Sequence, residues 1–244
     1  MSLPVVDLSG PKGRIIDAAL ALATERPWRE VALRDIADRA GLSLVEMREH
    51  FSSKADVLAA FAHAVDDAVL TAAPQGGGAD PKRDQLFEII MARLDALGPY
   101  KTALRSISAD ASADPALLRA FLSSQVWMLE AAGIAADGID GGVRVAGLAT
   151  VYGSVYRTWL EDDDPGLART MAALDRRLRR GERALSTLDE VGRTAKDITA
   201  RIASIFGGRR SGAEKDTGPA TGGDQGYGDG GSGNPVAADP PRSV

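Results

Sequence analysis

Apolar residues recur along most of this chain at intervals of three and four, the period of a helix, and alternating strand patterns are scarce. The pattern predicts an all-α fold. A first helix is expected from Lys12 to Glu25, with Ile15, Ile16, Ala19, Leu22 and Ala23 on its inner side, ended by Pro27 and Trp28. A short helix over 33–40 turns Leu33, Ile36, Ala37 and Ala40 inward, and Gly41 follows where a left-handed C-cap belongs. Ser43 and Glu46 form a capping box that opens a third helix, running to about Phe51. Ser52 to Asp56 then restarts the chain with a second capping signature. The fourth helix carries Val57, Leu58, Phe61, Val65, Val69 and Leu70 and ends before Pro74.

Gln75–Pro81, with three consecutive glycines, is the best junction in the chain. Beyond it the period predicts helices at about 82–97, 100–108, 114–132, 140–161, 165–187 and 190–206. Asp114-Pro115 and Asp164-Pro165 each place an N-cap before a proline at the first helical position. From Gly207 to Val244 glycine and proline are dense and large apolar groups almost absent, so too little surface is available to offset ordering entropy. The expected organisation is an N-terminal arm (1–11), a three-helix head (12–62), a helical body (63–206) and a disordered tail (207–244).

Two short helices joined by Gly41-Leu42-Ser43, followed at once by Phe51 and a capped fourth helix, have the spacing of a helix-turn-helix. Here the chain resembles the TetR family of bacterial one-component regulators. The matching residues are Arg14-Ile15-Ile16-Asp17-Ala18-Ala19, Arg34-Asp35-Ile36-Ala37, Ala40-Gly41-Leu42-Ser43 and His50-Phe51-Ser52-Ser53-Lys54. The resemblance implies a TetR-like fold with a C-terminal ligand-binding and dimerisation domain, a third helix entering a DNA major groove, homodimerisation through the last helices, and a small apolar effector. Carried onto this sequence, it makes Gly41 the turn. The recognition helix is then Ser43, Leu44, Val45, Glu46, Met47, Arg48, Glu49 and His50. Arg34, Arg48, His50, Ser53 and Lys54 become the phosphate or base contacts.

Charge bears on that expectation. The whole chain has a formal charge of −5, so any nucleic-acid contact must be local. Over 12–62 the basic residues are Lys12, Arg14, Arg26, Arg29, Arg34, Arg39, Arg48 and Lys54, and acidic residues match them in number. In the third helix Arg48 stands where the family usually has tyrosine, and Glu49 where a basic residue is common. Glutamate is able to accept a hydrogen bond from cytosine, so neither carboxylate rules out a DNA contact.

A second resemblance lies further on. Trp159-Leu160-Glu161-Asp162-Asp163-Asp164-Pro165, with Thr170 and the Leu174–Leu178 face, is similar to the C-terminal segment of the ubiquinone-biosynthesis lipid-binding proteins. They share the TetR-like fold without using it on DNA, and the alternative this implies is a lipid- or isoprenoid-binding accessory protein. On either reading Phe87, Met91, Trp127, Met128, Tyr152, Tyr156 and Trp159 are the candidates to line an apolar cavity between helices. Val143, Gly147, Val151 and Ser154, with Leu167, Met171, Leu174 and Leu178, are the rows expected to pair two copies in a four-helix bundle.

Other chemistries find little support. The absence of cysteine excludes disulfides, thiolate metal sites and cysteine nucleophiles. Histidines 50 and 63 have no acid partner at useful spacing, and neither Gly-x-Ser-x-Gly nor a phosphate loop occurs, so no catalytic residue and no cofactor is expected. The acidic run at 161–164 reads as helix capping rather than a metal site, and the arginines at 176–183 as a solvated face. No apolar stretch reaches the length of a membrane span, which leaves the cytoplasm as the expected location.

Overall fold

The apolar rows read along the chain become the inner faces of a helical assembly whose regular structure, among the described residues, is entirely helical. A computed structural model describes residues 9–73, 80–110 and 114–183, all within one unit, Met1–Gly192. Most of the expected arm, most of the glycine junction, the last turn of the 165–187 helix, the 190–206 helix and the 207–244 tail lie outside the described residues.

Helix α1 (Pro11–Glu25) begins with Pro11, whose missing N–H falls where no intrahelical partner exists. Its buried face is built from Ile15, Ile16, Ala19, Leu22 and Ala23, as the period required. Helix α2 (Leu33–Ala40) ends on Gly41 at φ 67°, a left-handed conformation that a side chain resists. Helix α3 (Leu44–His50) is capped by Ser43, whose hydroxyl accepts from the Glu46 amide at 3.2 Å. The Glu46 carboxylate reaches back to the Ser43 amide at 2.7 Å. At the start of helix α4 (Lys54–Ala72) the Ser53 hydroxyl accepts from the Asp56 amide and the Asp56 carboxylate from the Ser52 amide, both at 3.1 Å.

Four further helices follow: α5 (Lys82–Leu97), α6 (Lys101–Asp110), α7 (Pro115–Ala131) and α8 (Gly138–Leu160). Helix α4 packs most extensively on α7 and also touches α1 and α5, so the 62/63 boundary falls inside an unbroken helix common to head and body. Phe61 on α4 meets Tyr100, just before α6, edge-on at 5.0 Å between ring centres. A bond across the assembly ties the head down: Arg29 donates through its amide and its guanidinium to Asp110, both at 3.0 Å.

The last described helix, α9, spans 168–183 and differs from expectation in its start. The sequence places that start at Pro165, with Asp164 as the cap. Pro165 and Gly166 instead form a turn, and Leu167 takes φ 50°. The Asp164 carboxylate accepts from the Gly166 and Ala168 amides, so the cap is real but serves a helix three residues later. Asp162 is buried and accepts from the Thr170 amide (2.9 Å) and hydroxyl (2.7 Å), which holds its carboxyl below the usual range. Asp163 pairs with Arg105. Asp162, Asp163 and Asp164 are thus spent on capping and pairing.

Candidate nucleic-acid interface

Helix α3 carries one buried side chain, Met47, at 2 % exposure. Leu44, Val45, Arg48 and Glu49 face water. A seven-residue helix turns barely twice, so a single inward position anchors it and nearly everything else is presented. This corrects the expectation for Met47: its side chain fills the core among the head helices and does not reach a groove. Ser43 and Glu46 are likewise engaged with one another, since the serine hydroxyl also donates to the carboxylate at 2.7 Å. That contact, the Ser43 amide above all, holds the Glu46 carboxyl below its ordinary value, with help from nearby Arg14.

Lys54 is a second correction. Its ammonium donates to the carbonyls of Trp28 (2.8 Å) and Val31 (2.7 Å) and lies 4.6 Å above the Trp28 ring. Partial burial lowers its pKa. The lysine fastens the start of α4 to the segment between α1 and α2, and it is not held out toward a phosphate. Ser53 caps α4, and Gly41 shapes the turn. His50 is half-buried at the end of α3, while Arg34 on α2 is exposed.

Much of the evenly balanced charge over 12–62 is tied up in ion pairs and caps. Arg26 pairs with Asp35 at 2.7 Å, Arg39 with Glu25 at 2.5 Å, and Arg29 with Asp110 and Glu30. Glu46 and Asp56 are caps. Lys12, Arg14, Arg34 and Arg48 remain exposed without an ion-pair partner among the described residues, against Asp17, Asp38 and Glu49. Ion pairing withdraws cations and anions in equal number, and the hydrogen bonds to Glu46 favour its charged form, so what pairing leaves near α3 is a set of separate cations and not a cationic excess. Lys12 and Arg14 were absent from the expected contacts. The signal for them was the packing of α1 on α3, which places the first turn of α1 beside the cap of α3.

Three of the candidate cavity residues, Tyr152, Tyr156 and Trp159, stack in a row along α8, but the seven do not line one cavity. Trp127 is 50 % exposed on α7, and Met128 and Trp159 are buried in the core. Phe87 lines a surface groove of about 380 Å³ with Arg83, Glu88, Met171 and Leu178, whereas Trp159 borders another of about 360 Å³ with Leu94, Lys101 and Leu167. Met91 is half-buried against the core. Tyr156, stacked at 6.1 Å on Tyr152, has its pKa pushed up to about 12 by burial.

Where an apolar space was expected, the helices close on a polar cluster. Arg93 of α5 pairs with Asp66 of α4 and donates to the Tyr152 hydroxyl (3.0 Å) and the Ser124 hydroxyl (3.1 Å). Ser124 in turn donates to Asp66 at 2.7 Å. All four side chains are buried. The tyrosine hydroxyl is therefore turned to a guanidinium and not to a ligand. The proposed dimer rows are also divided, because Leu174 and Leu178 point into the core while Val143 and Met171 are exposed.

Residues 15–61 match the family model described as bacterial regulatory proteins, tetR family. Solved structures add a likeness of the whole fold. A TetR transcriptional regulator from Nitrosomonas europaea is 25 % identical with a TM-score of 0.57, over 71 % of this chain and 99 % of that one. One from Rhodococcus sp. RHA1 is 19 % identical with a TM-score of 0.53, over 69 % and 93 %. A third, from Streptomyces coelicolor, is 15 % identical with a TM-score of 0.50, over 79 % and 91 %. No curated protein matches the chain.

Proposed function

We propose, for a chain that has the domain and fold of a TetR-family transcriptional regulator, that it binds operator DNA as a homodimer and that α3 is the helix inserted into the major groove. The observation that supports this reading best is a short helix capped by Ser43 with Glu46 and held by Met47 as its one buried side chain, in a head where Lys12, Arg14, Arg34 and Arg48 are exposed and form no ion pair among the described residues. Arg48 and Glu49 on α3 are the polar base readers, and Lys12, Arg14 and Arg34 the phosphate contacts. Glu46, Met47 and Lys54 serve the fold.

Dimerisation in this reading uses the exposed side of α8, where Val143 and Gly147 face water, together with α9. A small effector would act by altering how α4 sits on α5 and α7, since α4 is the helix that head and body share. Two half-sites demand one fixed separation of the two α3 helices, so any such change lowers DNA affinity.

Salt dependence tests the proposal. Each phosphate neutralised by a protein cation contributes a slope of about −0.9 to log affinity against log salt. Wild-type protein is expected to lose affinity steeply, and Arg34→Ala to flatten the slope by about one per protomer. Absence of binding to any duplex at low salt sinks the reading.

A further inference from the structure

Two of the outward positions of α3 carry branched hydrocarbon: Val45 is 63 % exposed and Leu44 45 %. A helix with only seven residues has no solvation reason to show them, and no described part of the chain covers them. Four-residue spacing lines Leu44 up with Arg48 and Val45 with Glu49, giving two stripes that are apolar at the N-terminal turn and charged at the next. Arg14 lies near the Glu46 carboxylate of this helix, and Lys12 and Arg34 are exposed on α1 and α2, both of which pack on α3, so the head offers charge complementary to a phosphate backbone. On the major-groove edges of the bases, the one apolar group is the C5-methyl of thymine.

We propose that the operator half-site presents thymine methyl groups to Leu44 and Val45, so that these two side chains set its sequence preference. The inference rests on the DNA-binding reading above and adds to it what the operator must contain. Each methyl packed against them gains what burying one such carbon is worth, about fourfold in affinity.

The test starts from a duplex enriched by in vitro selection with the full-length protein. Thymines in the half-site are then replaced one at a time by deoxyuridine, which keeps the base pair and removes only the methyl. Wild-type protein is expected to lose about fourfold at each contacted position. The Leu44→Ser, Val45→Ser double variant is expected to bind the thymine operator more weakly and to lose nothing further on deoxyuridine. Both residues are exposed and Met47 is untouched, so an unchanged urea midpoint verifies the fold. Wild-type binding indifferent to deoxyuridine, or a double variant that stays as sensitive as wild type, overturns the proposal while leaving DNA binding intact. A protein that selects no duplex and shows no salt-dependent binding removes the DNA reading itself, and this inference with it.

Discussion

At the scale of the residue, Met47 and Lys54 show how a side chain's type misleads about its place. Along the sequence Met47 is one more member of a short run, because seven residues are too few for a periodic face to declare itself. Its burial follows only once α1 and α2 are set against α3. Met47→Ala removes the anchor, and the cavity is expected to cost about 2–5 kcal/mol in urea unfolding. A variant as stable as wild type would contradict the single-anchor picture. Lys54 looks like a phosphate contact because it is a lysine after a helix-turn-helix. The acceptors it uses are main-chain carbonyls at 28 and 31, which carry no sequence signature at all.

At the scale of the element, most of the structure was legible. Helix caps are local chemistry, decided within three or four residues, so Ser43 with Glu46, Ser53 with Asp56 and Asp114 before Pro115 all appear where the sequence put them. The start of α9 departs from the same local logic, because a Pro-Gly pair supports a turn as readily as a first helical turn. The α3 cap makes a prediction with a definite sign. Ser43→Ala is expected to cost about 1 kcal/mol at neutral pH. The Glu46 carboxyl titrates below its ordinary 4.5 in the folded state, so its contribution is present above that value and disappears as pH falls through the lower one. The difference between wild type and Ser43→Ala, read from urea midpoints at pH 7 and pH 3, should therefore shrink in acid.

At the scale of the whole molecule, the polar cluster of Asp66, Arg93, Ser124 and Tyr152 was the least readable feature. Its members lie on four different helices and each looks ordinary in its own segment. Burial is imposed by the assembly, and no local pattern encodes it. Arg93→Met alone leaves a buried carboxylate without its partner, with an expected loss of about 3–5 kcal/mol. Replacing both, as Asp66→Leu with Arg93→Met, should recover most of that loss, and calorimetric unfolding of the three variants distinguishes the cases. Asp66 sits on the same helix as Lys54, with neither glycine nor proline between them. The reader head is therefore not a cassette that can be cut out and grafted at residue 62. A transplant that ended there would sever its own backbone support and leave Phe61 without its tyrosine, so any exchange of heads between scaffolds has to carry α4 whole, along with the partner surfaces that cover it.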